Sequence, residues 1–200
     1  MCGKQKNLTL LAFVVIAPDS FEQRALIRST WGSKVFKRLR VIFALALSKD
    51  DAINEKIRNE FEVHKDIIQE DFIDSYYNLT SKILMGFRWV HEYCSGSYFT
   101  MRINDDVVVN TVRLLDFLDD FRASRLKNNK KLENEMIGYV IYGARPFRNP
   151  KSKFYISKKQ FNGATYDWYC EGSAYIFTTD LAKKFYDYSL DFYYPPFSSW

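Results

Sequence analysis

Histidine is nearly absent from these 200 residues, and cysteine and glycine are sparse. Each shortage closes off a class of function. The two histidines, His64 and His91, fall on predicted helices or their ends, and neither is assigned to catalysis. The three cysteines, Cys2, Cys94 and Cys170, have no CxxC spacing and no neighbouring histidine pair, which argues against zinc. One disulfide and one free thiol fit that count, and in an oxidising compartment a bridge between Cys94 and Cys170 is expected. No GxGxxG follows the first apolar run, where Pro18-Asp19-Ser20 stands instead, so a dinucleotide-dependent oxidoreductase is not indicated. That run, residues 8–17, is too short to span a bilayer and lacks the flanks of a secretion signal. No one sign of charge dominates: 29 basic residues face 24 acidic ones. The densest basic stretches, 34–40 and 122–131, read as solvated edges, and no basic stripe interleaved with aromatics points to nucleic acid.

What is present is a large apolar fraction, 47%, enough for one sizeable core. Aromatics reach 18%, which suits a packed domain and also a groove lined with rings. Two Asn-x-Ser/Thr triplets, at Asn7 and Asn78, are glycan acceptors only in the secretory pathway.

Strand and helix patterns alternate along the chain. The continuous apolar runs 8–18 and 40–47 read as strands buried on both faces, and 66–68 and 98–103 as two shorter ones. Between them lie helical patterns: one capped by Asp19 or Ser20 and stopped by Gly32, one opened by Asp50-Asp51 with Ile53, Ile57 and Phe61 inward, and one over 79–93. A helix over 112–125, an exposed loop over 126–135 and a helix near 181–188 follow. Four alternations with short connections imply an α/β fold with a mostly parallel sheet between helices. The remainder reads as an α+β half. In such sheets ligands gather beyond the carboxyl ends of the strands.

At one of those ends stands Asp105-Asp106, closing the run Tyr98-Phe-Thr-Met-Arg-Ile-Asn-Asp-Asp. Two carboxylates on a rigid strand end suit a hard divalent cation, although a solvated turn would use the same residues.

Five ordered segments carry a resemblance: FEQRALIRSTWG (21–32), DIIQEDFIDSYYNLTSK (66–82), RINDDVVVN (102–110), KFYIS (153–157) and YCEGSAYIFT (169–178). Together they resemble the β-1,3-galactosyltransferase family, which includes β-1,3-N-acetylglucosaminyltransferases, over nearly the whole chain. The resemblance implies a glycosyltransferase-A type fold, with residues 1–125 as a UDP-sugar-binding half and 126–200 as an acceptor-side half. It implies inverting transfer of galactose or N-acetylglucosamine, from UDP-galactose or UDP-N-acetylglucosamine, to the 3-hydroxyl of an acceptor glycan on a glycoprotein or glycolipid. It also implies manganese as cofactor and a type II protein of the Golgi membrane, its anchor outside this chain.

Residue by residue, the family's Asp-Asp-Asp becomes Asn104-Asp105-Asp106, with Asp106 as metal ligand and Asp105 as a ribose or metal contact. Asn104 keeps hydrogen-bonding capacity and loses a charge. Arg24 and Arg28 match an Arg-x-x-x-Arg-x-x-Trp segment suited to diphosphate oxygens, or one of them pairs with an acid such as Asp71 or Asp74. Trp31 is read as core. Lys82 approaches the nucleotide or is an exposed helix lysine. Glu171 and Gly172 lie in a stretch where the family has three glycines; Gly172 allows a close substrate approach or serves a turn, while Ser173 and Ala174 narrow the pocket. The family's general base is expected beyond Trp200, as is a later metal-binding histidine, so the chain is read as an incomplete catalytic domain.

Overall fold

The computed structural model describes residues 8–191. An apolar run without polar alternation must be covered on both sides, and Leu10–Val15 (β1) is buried at every position. It lies inside a six-stranded sheet with Leu39–Leu47 (β2), Ile67–Ile73 (β3), Phe99–Asn104 (β4), Met136–Ile141 (β5) and Tyr169–Thr178 (β6). The spatial order is β3-β2-β1-β4-β6-β5. β1 to β4 run parallel, and β6 runs antiparallel to both β4 and β5. The expected mostly parallel sheet is therefore present.

Among the described residues five α-helices cover it: Phe21–Ser29 (α1), Asp51–His64 (α2), Leu79–Cys94 (α3), Thr111–Lys127 (α4) and Asp180–Leu190 (α5). Successive strand side chains point to opposite faces, so β1 serves two cores. Leu10, Ala12 and Val14 pack with Ile27 of α1, Ile57 of α2 and Leu115 and Leu118 of α4. Leu11, Phe13 and Val15 pack with Met85, Phe87 and Val90 of α3 and Ala182 of α5. Each fully buried Leu, Ile, Val, Phe or Met contributes about 1.5–3 kcal/mol. Among the described residues no helix is long and apolar enough to cross a membrane.

Local chemistry sets the helix ends. Asp50 caps α2 by accepting a hydrogen bond from the Ala52 amide, a contact worth about 1 kcal/mol. Ser20 precedes α1 as expected, yet its side chain makes no capping bond. Backbone bonds from Phe21 to Asp19 and from Arg24 to Ser20 start that helix instead.

Two expectations need correction. β3 extends to Ile73 rather than ending at residue 68, because an edge strand tolerates polar residues; the Gln69 side chain donates to the Ala46 carbonyl at 3.0 Å. One sheet spans both halves of the chain, since β6 pairs with β4. Cys170 is a free thiol while Cys94 is disulfide-bonded, so the two do not pair with each other. Asn78 donates its side-chain amide to the Ile73 carbonyl at 2.8 Å; Asn7 and Cys2 lie outside the described residues.

Candidate functional site

The strand order reverses direction at β1, whose neighbours are β2 on one side and β4 on the other. A crevice opens at such a switch point, beyond the carboxyl ends of the two diverging strands. Val15 and Asn104 are register partners there, and Asp105 and Asp106 follow immediately. β6 borders the same crevice. Its Ala174 pairs with Ile103, so Ser173, Gly172 and Glu171 run on past the end of β4 on the side of the aspartates.

Asp106 is exposed at this lip, and Asp105 and Asn104 are half-buried. Burial raises the Asp105 pKa; a backbone hydrogen bond opposes that, the Asp106 charge adds to it, and the Lys82 charge opposes it. Lys82 reaches the same strand end, because its ammonium binds Ile16, the residue after Val15. It is not the exposed helix lysine that its sequence context allowed: it is 4% exposed, its Nζ donates to the Ile16 carbonyl at 3.0 Å, and it forms an ion pair with Asp74. One ammonium thus ties the end of β1 to the segment after β3, and its position beside the aspartates is fixed.

The two arginines of α1 turn elsewhere. Arg24 is wholly buried, and Glu60 of α2 accepts from its Nε and Nη2 at 3.0 and 2.6 Å. Its Nη1 donates to the Ala17 and Pro18 carbonyls at 3.1 and 3.2 Å. Arg28 donates to Glu60 at 2.5 Å and to both oxygens of Asp66 at 2.8 and 2.7 Å. The diphosphate role expected of Arg24 and Arg28 is thus replaced by ion pairing, with Glu60 and Asp66 rather than Asp71 or Asp74. Asp66 immediately precedes β3, the edge strand three places from β4, so Arg28 is drawn away from the aspartates. Arg24 still shapes the site indirectly, because it fixes the β1–α1 connection that forms one wall. Trp31 is core, 6% exposed, and its carbonyl accepts from the Thr111 hydroxyl at 2.7 Å.

Gly172 lies in an extended strand, not a turn, and a Cβ built on it meets nothing within 4 Å. The space beside it is open rather than filled by the protein. Glu171 folds back on its own strand, its carboxylate accepting from the Ser173 amide at 2.8 Å and hydroxyl at 2.9 Å.

Arg102, inside the segment 102–110, has no role expected from the sequence. It occupies the middle of β4, 2% exposed, paired in register with Phe13 and Tyr175. Nε and Nη1 have no hydrogen-bond partner. The available signal was a cation in the middle of a strand flanked by Met101 and Ile103.

Among the described residues, no group of three or more His, Cys, Asp or Glu side chains is placed to hold a metal. Adjacent Asp105 and Asp106 nevertheless fit the mode in which one or two carboxylates and the substrate's phosphates share an ion, which keeps its remaining waters. Oxygen donors of this kind suit magnesium or manganese.

Comparison with known proteins gives this site a family. The family described as Galactosyltransferase matches residues 22–194. The chain is 33% identical over 193 residues to lactosylceramide 1,3-N-acetyl-beta-D-glucosaminyltransferase A of Danio rerio, covering 92% of this chain and 49% of that protein. It is 36% identical over 191 residues to beta-1,3-galactosyltransferase 1 of Mus musculus, covering 93% and 56%. The chain spans about half the length of these curated relatives. A solved structure, 4-diphosphocytidyl-2C-methyl-D-erythritolsynthase from Anaerococcus prevotii, aligns over 96% of this chain and 79% of its own at 13% identity; its TM-score, 0.43, is too low to carry an argument. On the sequence matches, which run through both halves of the sheet, the chain belongs to the galactosyltransferase family.

Proposed function

We propose that this chain is catalytic-domain sequence of a β-1,3-hexosyltransferase that moves galactose or N-acetylglucosamine from a UDP-sugar to the 3-hydroxyl of an acceptor glycan, with inversion. The observation that carries this reading is the pair Asp105-Asp106 at the switch-point crevice, in a chain whose relatives are named for both sugars.

In the reaction the acceptor oxygen attacks the anomeric carbon, the bond to the diphosphate breaks, and its electron pair leaves with UDP. The acceptor proton passes to a general base. Asp106, exposed, and Asp105, half-buried beside it, would hold manganese, which when bound supplies Lewis-acid charge against the departing diphosphate. Lys82 and Arg24 keep the β1 end of the crevice in place through the Ile16, Ala17 and Pro18 carbonyls. The open space beside Gly172 leaves room for a sugar ring at the β6 wall. For the full-length protein we propose the lumenal face of the Golgi membrane.

Titration calorimetry with UDP, with and without manganese, tests the site. Binding should depend on manganese, and Asp106→Asn should weaken it by at least about tenfold, as loss of metal-site residues does. UDP binding that ignores both manganese and the substitution sinks the proposal. A second reading, a catalytically inactive UDP-sugar- or glycan-binding relative, draws on Asn104, Ser173 and Ala174, which depart from the family pattern. It predicts donor binding without transfer in an assay offering both donor sugars.

A further inference from the structure

A buried arginine needs anionic or carbonyl partners for its donors, and this fold treats two such arginines differently. Arg24, 0% exposed, has all three guanidinium nitrogens engaged by Glu60, Ala17 and Pro18. Arg102 is 2% exposed, and its enclosed Nε and Nη1 have none. Guanidinium remains charged at neutral pH, so an unmatched donor set of this kind opposes folding. An apolar residue would suit the position better: Phe13 is its register partner, and Phe177 lies on the same face of the adjoining strand.

The nearby acids leave the demand unmet. Glu171 spends both oxygens on Ser173, and Asp106 is exposed at the lip. Burial disfavours the charged form of Arg102, and Tyr175, Glu171 and Asp106, in that order, only partly offset this. Arg102 stands two residues before the carboxyl end of β4, where Asp106 and Glu171 flank the crevice, so it lies beneath that crevice. The other buried cation there, Lys82, already has Asp74 and the Ile16 carbonyl.

We propose that Arg102 is the anion-binding residue of the crevice and takes a phosphate oxygen of the nucleotide diphosphate. The inference rests on the UDP-sugar reading above. A neutral sugar hydroxyl would not balance the charge, and a lone carboxylate would meet the repulsion of Asp105 and Asp106. A diphosphate arrives with the divalent cation that those aspartates hold, and it has oxygens to spare for a guanidinium. The structure thereby assigns opposite halves of one ligand's recognition to neighbouring positions of one strand: metal at its end, cation within it.

The test titrates the unmodified chain, Arg102→Met and Arg102→Lys with UDP and with uridine, in manganese, and records each unliganded Tm. Arg102→Met should bind UDP at least tenfold more weakly while leaving uridine unchanged; Arg102→Lys should fall between. The Tm of Arg102→Met should equal or exceed that of the unmodified chain, because removing an uncompensated buried charge relieves the fold. Equal UDP affinity in Arg102→Met overturns the inference and leaves the nucleotide reading intact. A lowered Tm with uridine and UDP weakened in step marks a structural arginine and overturns it as well. If the unmodified chain binds no UDP, the nucleotide reading fails, and this inference with it.

Discussion

Glu60 holds two guanidinium groups at once, and its titration carries a stability signature. Burial pushes its pKa up, but the bonds and charges of Arg24 and Arg28 outweigh that and leave it below the ordinary carboxylate value. A carboxylate depressed in the folded state contributes stability above its unfolded pKa, near about 4.3, and loses it as pH falls through the lower folded value. Glu60→Gln should therefore cost about 3 kcal/mol in urea unfolding at neutral pH, and the difference should shrink below about pH 4. A gap that persists at low pH would show that the cost is packing, not charge. At the lip, Asn104→Asp adds a third acid beside two, and manganese affinity should rise by about tenfold because cation sites strengthen with ligand charge. Equal affinities would show that Asn104 replaces the family's aspartate without loss. The sequence allowed an ion pair for an arginine of α1 but named Asp71 or Asp74. The true partners come from α2 and its exit, whose position beside α1 is a packing outcome that no local spacing encodes.

α3 meets the sheet at a glycine. A Cβ on Gly86 would stand 2.7 and 2.8 Å from ring atoms of Phe13, which is fully buried and set edge-on to Phe87 with centroids 5.7 Å apart. Gly86→Ala gains about 1 kcal/mol of helix propensity and loses about 1–3 kcal/mol to overpacking. Denaturant titration should find the variant less stable by about 1 kcal/mol; a more stable protein would mean that the ring yields freely. Because the same helix carries Lys82, UDP affinity should fall alongside. Elements with a dense apolar period were legible beforehand: β2 stands within one residue of its expected limits, α2 opens where Asp50-Asp51 placed it, and β1 lies inside its apolar run. β6 was not, because Cys170 to Ala174 mix small, polar and charged residues without alternation. Its pairing with β4 joins residues some seventy positions apart, and long-range partners leave no local trace.

The molecule as a whole is organised by a sheet that crosses the midpoint of the chain. The first four strands and the last two share continuous hydrogen bonding through β4 and β6, and Phe177 of β6 packs against Phe87 of α3 at 5.6 Å between ring centroids. Unfolding should therefore be a single cooperative event, with coincident midpoints by far-ultraviolet and near-ultraviolet circular dichroism. Two separated midpoints would divide the chain into independent halves. The region between β5 and β6 keeps its order by a different device, with Arg148 donating to the Ile156, Phe161 and Gly163 carbonyls at 2.7, 2.7 and 3.0 Å. That device was invisible in sequence, since the carbonyls it gathers belong to residues of no particular type.

Cys170, adjoining Glu171 in β6, is the free thiol among the described residues. Burial makes it hold its proton more tightly than an ordinary cysteine, so alkylating reagents will capture it slowly near neutrality and faster in alkali. A fluorophore attached there would stand next door to the crevice, turning the arrival and departure of a nucleotide into an optical trace recorded in real time.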